Sequence, residues 1–245
     1  ETLRYFARQL ELTGVDVQLN TRVTADTLNN GNFDDVIMAT GITPRVPDIE
    51  GIEHSKVLTY LDVIRDKKPV GKRVAVIGAG GIGFDVSEYL SHGKDAPSLD
   101  IPVFMKEWGV DMTLTARAGV EGVKPAPEPS SREIFLLQRK TSKVGAGLGK
   151  TTGWSHRANL MMKGVKMIAG VTYDRIDDEG FHCTVEGKSM VLPVDNVIIC
   201  AGQEPLRALQ EGLTKPCHLI GGADEARELD AKRAIEQGTK VAMAI

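Results

Sequence analysis

The stretch that most limits how this chain can fold runs from Arg73 to Leu90, where an apolar run meets four closely spaced glycines. Arg73–Ile77 has the length and β-branched content of a buried strand. Phe84–Leu90 has the apolar spacing of a helix. Of the glycines between them, Gly78 permits a tight turn and Gly83 permits the helix to pack closely on the strand. A strand–turn–helix of this kind belongs to a parallel sheet, so the sequence predicts an α/β protein.

The glycines of this turn have the spacing GxGxxG, which is a weak signal alone but a strong one between a strand and a helix. Gly80 lets the backbone approach a pyrophosphate, and the free N–H groups and positive end of the helix attract the anion. We therefore expect a Rossmann-like dinucleotide-binding domain. Its predicted nucleotide-binding residues are Gly78, Ala79, Gly80, Gly81, Ile82 and Gly83.

The end of the second strand indicates which dinucleotide is bound. The best second strand is Ile134–Gln138, and it ends in Gln138, Arg139 and Lys140 rather than in the acid that accepts from the ribose 2′-OH of NAD. Cations at this place attract a 2′-phosphate, so we expect NADPH, with Gln138, Arg139 and Lys140 among the residues that contact it. An alternative second strand, Met112–Ala116, ends at Arg117 and gives the same preference through another residue.

The rest of the chain alternates strands and helices. Apolar runs predict buried strands at Asp35–Thr40 and Asn196–Cys200, and shorter alternating runs between Tyr173 and Leu192 predict a β-meander. Thr2–Leu12 has helical spacing, and Val15–Leu19 alternates like a short strand. Residues 94–132 hold five prolines and are interpreted as an irregular insertion.

Two stretches of the chain echo each other. Asp34–Pro44 and Asp195–Pro205 share five of eleven positions, and in each an apolar strand ends at a glycine with proline three residues later. The echo indicates two similar sheets that end in the same way.

Composition excludes several classes of protein. Lys and Arg total 30 against 33 Asp and Glu, a balance that argues against binding to nucleic acid or to an anionic membrane. The chain has no apolar run of 18 residues, so we expect no membrane-spanning helix. The cysteines have no metal or redox-pair spacing, and we interpret them as buried thiols in the cytoplasm. No residue stands out as catalytic, which suits hydride transfer because cofactors carry that reaction.

Several of these stretches together resemble a known family. Ala39–Gly41, the glycine turn, Gly202, and Leu219–Gly222 resemble flavoproteins with two dinucleotide-binding domains. Val197–Pro205, Gly145–Trp154 and Glu228–Ala231 resemble, more closely, the carboxy-terminal part of bacterial NADPH-dependent 2,4-dienoyl-CoA reductases.

The resemblance implies a division of the chain into domains. Residues 1–45 and 196–245 would be parts of a second, partial Rossmann-like domain for FAD, and residues 46–195 an inserted NADPH domain. The implied FAD contacts are Ala39, Thr40, Gly41, Ala201, Gly202, Gly222 and Asp224. NADPH would pass its hydride to FAD, and FMN and a 4Fe-4S cluster would lie in an amino-terminal barrel that this sequence does not include.

The chain departs from the family's pattern in one respect that matters. The FAD domain's own glycine turn is not in this sequence, and Asp224 lies two residues beyond the family's usual position for an acid. We therefore expect this chain alone to hold FAD weakly or not at all, and not to reduce a dienoyl-CoA. The alternatives are a relative of trimethylamine dehydrogenase or of enoate reductase, and a non-catalytic nucleotide-binding domain.

Overall fold

The computed structural model describes residues 1–93, 97–227 and 229–245. Glu228 of the Glu228–Ala231 motif therefore lies outside the described residues, as do residues 94–96 of the predicted insertion. The α-helices in the described part of the chain are α1 (Thr2–Leu12), α2 (Ala25–Asn30), α3 (Tyr60–Ile64), α4 (Gly81–Ser91), α5 (Ile101–Trp108), α6 (Gly153–Met162) and α7 (Ala231–Ala242). Within the same residues, no helix is long and apolar enough to cross a lipid bilayer.

The strands are short, and most of them lie where the apolar runs predicted. They are β1 (Val36–Met38), β2 (Ile42–Pro44), β3 (Val57–Thr59), β4 (Arg73–Ile77), β5 (Glu133–Leu137), β6 (Lys166–Ile168), β7 (Val171–Asp177), β8 (Gly180–Val185), β9 (Lys188–Leu192), β10 (Asn196–Ile199), β11 (Gln203–Pro205) and β12 (Cys217–Leu219). The chain forms two compact units: Glu1–Thr43 with Glu204–Ile245, and Pro44–Gln203.

The Pro44–Gln203 unit is built on a five-stranded sheet with the order β3-β10-β4-β5-β6, all parallel. One face packs against α3, α4 and α6, through Val63, Phe84 and Leu160 among others. The other face packs against an antiparallel meander, β7-β8-β9, through Ile176 and Phe181. The predicted Rossmann-like α/β fold with a parallel sheet and a meander is thereby confirmed.

The boundary predicted at residues 195/196 differs from the division in the structure. Strand β10 begins at Asn196, yet it lies at the centre of the five-stranded sheet, between β3 and β4. The unit therefore extends to Gln203. An apolar run predicts a buried strand, but it does not encode which sheet the strand joins.

The Glu1–Thr43 and Glu204–Ile245 segments form the second unit, in which β1 pairs in parallel with β12. Helix α1 buries none of its described residues, and Leu3 is 87% exposed. The strand predicted at Val15–Leu19 is absent: these residues are all described, and Val15, Val17 and Leu19 are exposed outside any sheet. Alternation defines two faces, but a strand also needs a partner for its backbone.

The predicted irregular stretch contains a helix that the sequence analysis missed. In α5, Pro102 lies in the first turn, where its missing N–H costs nothing. The Asp100 side chain accepts from the Val103 N–H at 3.1 Å, and Gly109 ends the helix in a left-handed conformation. The alternative second strand at Met112–Ala116 is wrong, because these described residues form turns.

Candidate nucleotide-binding site

The turn after β4 can be made only by glycine at two positions. Gly78 has φ +103°, and a Cβ added there would lie 2.4 Å from the Cys200 carbonyl oxygen. A Cβ on Gly83 would lie 1.8 Å from the Gly78 carbonyl oxygen. The Gly78 N–H donates to the Leu137 carbonyl at 3.0 Å and so ties the turn to the end of β5. The start of α4 therefore packs directly on the turn, as the spacing predicts.

The outer side of the same turn is open. Gly80 and Gly81 are exposed, and no described atom lies within 4 Å of a Cβ built on either residue. Gly80 is the N-cap of α4, and it caps the helix with no side chain. The first intrahelical hydrogen bond runs from the Phe84 N–H to the Gly80 carbonyl, so the N–H groups before it face outward. This arrangement suits an anion held by backbone N–H groups at a helix N-terminus.

The turn lies where the connections of the sheet reverse direction. The chain passes from β4 to β5 on one side, whereas the neighbour on the other side is β10. The Cys200 N–H donates to the Ile77 carbonyl at 2.8 Å, so the ends of β4 and β10 are adjacent. In open parallel sheets, ligands bind in the crevice at the carboxyl ends of such a strand pair.

Ala201 and Gly202, assigned from the resemblance to the FAD domain, follow β10 in the same unit as the glycine turn. The Arg45 guanidinium donates two hydrogen bonds to the Ala201 carbonyl, at 3.0 and 2.6 Å. A Cβ added to Gly202 would lie 2.4 Å from Nη2 of the same guanidinium. Gly202 has φ +105°. These residues therefore lie beside the dinucleotide turn, and placing them in the second unit was wrong.

The residues after β5 lie next to the turn, because β5 pairs with β4 in parallel register. Arg139 and Lys140 are exposed, whereas Gln138 is half-buried and its side-chain amide is directed into the loop. None of the three carries the carboxylate that accepts from the ribose 2′-OH in NAD sites. The structure thus brings the glycine turn and two cations to one edge of the sheet.

The Gly145–Gly153 segment forms a second wall of the site. The Gly145–Gly153 segment packs against Phe84 of α4, since a Cβ on Gly145 would lie 2.7 Å from that ring. A cleft of about 190 Å³ lies between the starts of α4 and α6, lined by Gly81, Phe84, Asp85, Leu148, Gly149, Thr152, Gly153 and His156.

Glu88 ties the two helices together behind this cleft. Its carboxylate contacts His156 Nδ1 at 3.1 Å and accepts from Asn159 Nδ2 at 2.9 Å. Sequence analysis missed this cluster, because its members lie far apart along the chain. Helical spacing does place Glu88 two turns after Gly81, but nothing in the sequence indicates its partners on α6.

The predicted FAD contacts Ala39, Thr40 and Gly41 lie in the second unit. Ala39 and Thr40 are exposed, and Gly41 has φ +78°. The Thr40 hydroxyl donates to the Leu206 carbonyl at 2.6 Å, and the Leu206 N–H donates to the Gly41 carbonyl at 3.0 Å. The polar atoms of this junction mainly bind one another.

The predicted contacts near the carboxyl terminus are similarly engaged. A Cβ on Gly222 would lie 2.8 Å from Ile42 Cγ2, so the glycine serves close packing. The Asp224 carboxylate accepts from Gln237 Nε2 at 2.6 Å. A second GxGxxG does not occur in the sequence. These residues are therefore engaged within their own unit, and the sequence holds no second glycine turn of the kind that follows β4.

Two of the three cysteines, Cys183 and Cys200, are unsuited to act as nucleophiles. Burial raises the pKa of the Cys183 thiol to about 11 and that of the Cys200 thiol to about 12. Both are therefore protonated at neutral pH, and a protonated thiol is a poor nucleophile and a poor metal ligand.

A comparison with known proteins identifies the family. The family model described as pyridine nucleotide-disulphide oxidoreductase matches residues 4–225. The chain belongs to this family. The family implies binding of FAD and of NAD(P)H, and its members are flavin-dependent oxidoreductases.

Proteins similar to this chain include enzymes with different activities. A metal reductase of Desulforamulus reducens is 26% identical over 226 residues, 88% of this chain and 32% of that protein. An NADH oxidase of Enterococcus faecalis is 34% identical over 219 residues, 84% of this chain and 40% of that protein.

The solved structure of 2-naphthoyl-CoA reductase with 2-naphthoyl-CoA has a TM-score of 0.74 at 24% identity. It covers 100% of this chain and 32% of that one, and it shows likeness of fold. The chain thus spans 32% to 40% of the length of these proteins.

Proposed function

We propose that this chain is the NADPH-binding, electron-input region of a flavin-dependent reductase. The observation that carries the proposal is the open glycine turn beside two cations. No described atom lies within 4 Å of a Cβ on Gly80, and Arg139 and Lys140 are exposed after the adjacent strand. The turn fits a pyrophosphate, and the cations fit a 2′-phosphate.

The residues of the turn would bind and orient the nucleotide. The N–H groups of Gly80, Gly81 and Ile82 would donate to the pyrophosphate oxygens, aided by the positive end of α4. Arg139 offers a planar fork of N–H donors that matches phosphate geometry, and Lys140 adds a second charge. When bound, NADPH supplies the hydride; the protein's part here is to hold it and to exclude alternatives without a 2′-phosphate.

The flavin side of the proposal is supported by the second unit. Helix α1 and the β1–β12 pair leave apolar side chains exposed, among them Leu3, Phe6 and Ile37. Large apolar side chains exposed in this way are normally covered by further polypeptide. We propose that this unit is part of an FAD domain completed by residues outside this sequence, and that this chain alone retains little FAD.

The finer assignment follows the resemblance. We propose a reductase similar to 2,4-dienoyl-CoA reductase, in which FMN and a 4Fe-4S cluster belong to a separate barrel. The named relatives reduce different compounds and are much longer than this chain. The substrate is therefore a property of residues beyond this sequence, and no residue of this chain is assigned to it.

Calorimetric titration with NADPH, NADH and ADP tests the proposal. NADPH should bind at least about tenfold more tightly than NADH, because bonds to a charged phosphate are worth about 1.5–3 kcal/mol. Arg139→Ala should remove most of this preference while leaving NADH binding nearly unchanged. Arg117→Ala is a matched control, since the described structure places exposed Arg117 after turns rather than after a strand of the sheet. Equal losses for both nucleotides in Arg139→Ala would contradict the 2′-phosphate assignment.

A further inference from the structure

The side chain of Gln138 is used within its own loop. Its Nε2 donates to the Lys140 carbonyl at 2.9 Å and to the Ser142 carbonyl at 2.8 Å. Both partners are backbone oxygens, so the amide nitrogen, and not the amide oxygen, must face them. Both amide protons are thereby occupied, and none remains for a ligand.

The backbone around Gln138 holds the same loop to the sheet. The Gln138 N–H donates to the Ile168 carbonyl at 2.9 Å, and its carbonyl accepts from the Val171 N–H at 3.0 Å. The Lys140 carbonyl also accepts from the Gly170 N–H at 3.0 Å. The Lys140 carbonyl therefore accepts two hydrogen bonds, one from the Gln138 side chain just after β5 and one from the Gly170 N–H just before β7.

From these contacts we infer that Gln138 is a positioning residue that sets the preference for NADPH over NADH without touching the nucleotide. The amide draws the carbonyls of Lys140 and Ser142 into the loop, and the side chains of Arg139 and Lys140 are left exposed at the edge next to the glycine turn. A loop fixed in advance loses less conformational freedom when its cations bind a 2′-phosphate.

This role differs from the one expected from sequence, where Gln138 was grouped with the direct nucleotide contacts. A direct contact to the ribose 3′-OH would serve NADH and NADPH alike, because both carry that hydroxyl, whereas a direct contact to the 2′-phosphate would add its energy independently of Arg139. A positioning role acts only through Arg139 and Lys140, so it affects only the nucleotide that bears the 2′-phosphate. The inference rests on the proposed function, since it presupposes that NADPH binds at this edge.

The test measures dissociation constants for NADPH and NADH in the whole chain carrying Gln138→Ala or Gln138→Met. The methionine variant keeps the length and packing of the side chain without its donors, so it provides the answer if the alanine variant fails to fold. We expect the NADPH constant to rise about tenfold and the NADH constant to change less than twofold. Ser142→Ala removes only the longer contact of 3.4 Å between Gln138 Nε2 and Ser142 Oγ and keeps the carbonyl, so it should change neither constant.

A double-mutant cycle separates positioning from general structure. In a background with both Arg139→Ala and Lys140→Ala, Gln138→Met should have little further effect on NADPH, because both cations that it positions are gone. Equal losses for both nucleotides, an unchanged preference in Gln138→Met, or simple addition of the two effects would each overturn the inference. A wild-type chain without NADPH preference would instead refute the proposed 2′-phosphate site itself, and the inference with it.

Discussion

Substitution of Gly80 by alanine separates ligand binding from folding. Gly80 has φ −83° and ψ −172°, which alanine adopts without strain, and no described atom lies within 4 Å of the added Cβ. The methyl group instead occupies the space through which a pyrophosphate would reach the N–H groups of α4. The variant should therefore fold normally and bind NADPH poorly.

The expected size of each effect follows from the geometry. Alanine is a poorer N-cap than glycine, by about 0.5–1 kcal/mol, but it lowers the entropy of the unfolded chain by a comparable amount. The melting temperature should change by less than about 2 °C. A methyl group that displaces the phosphate removes about one charge-assisted hydrogen bond, worth about 1.5–3 kcal/mol, so affinity should fall about 10- to 100-fold.

Calorimetry with NADPH and thermal unfolding followed by circular dichroism measure the two effects. Gly238→Ala is a suitable control: it lies in α7, its Cβ would meet Ile220 Cδ1 at an ordinary 3.6 Å, and it should leave NADPH affinity unchanged. If Gly80→Ala binds NADPH as tightly as the wild type, no phosphate approaches this turn and the reasoning fails.

Three further predictions concern stability and are checked by denaturant unfolding. Gly83→Ala should cost at least about 2 kcal/mol, because its Cβ would overlap a carbonyl oxygen of the turn at 1.8 Å; a wild-type free energy of unfolding would contradict that packing. The hydrogen-bonded Lys68 ammonium holds the pKa of Asp62 at about 2, below its unfolded value. The Asp62 carboxylate should therefore add fully to the free energy of unfolding above about pH 4, and this contribution should be lost as pH falls toward 2. A difference in unfolding free energy between wild type and Asp62→Asn that does not shrink over this range would contradict the prediction. Lys163 and Glu107 form a buried ion pair with a nitrogen–oxygen distance of 2.5 Å. Lys163→Ala should lower the free energy of unfolding by about 3–5 kcal/mol, because it leaves the Glu107 carboxylate buried without a partner. The double variant Lys163→Met with Glu107→Leu should recover most of this loss, and no recovery would show that the pair itself stabilises the fold.

The core of the fold was predictable from the sequence because its signals are local. Arg73–Ile77 needs only an apolar run to be identified as a buried strand, and the glycines after it report positive φ and close approach at Gly78 and Gly83. The echo of Asp34–Pro44 in Asp195–Pro205 likewise corresponds to two strands that end in positive-φ glycines, Gly41 and Gly202.

The rest depends on contacts between residues distant in sequence. The run Asn196–Ile199 predicts a strand, but its place between β3 and β4 follows from backbone pairing that no pattern records. The bond of Glu88 to His156 and the inward turn of the Gln138 amide are tertiary contacts of the same kind. Helix α5 was missed for another reason: Pro102 interrupts a helix interior but suits its first turn.

The most direct test of the account is a crystal structure of the chain with NADPH. The account predicts pyrophosphate oxygens within hydrogen-bonding distance of the N–H groups of Gly80, Gly81 and Ile82, with the 2′-phosphate beside Arg139. A nucleotide bound elsewhere, or a turn in which a side chain fills the space above Gly80, would contradict it.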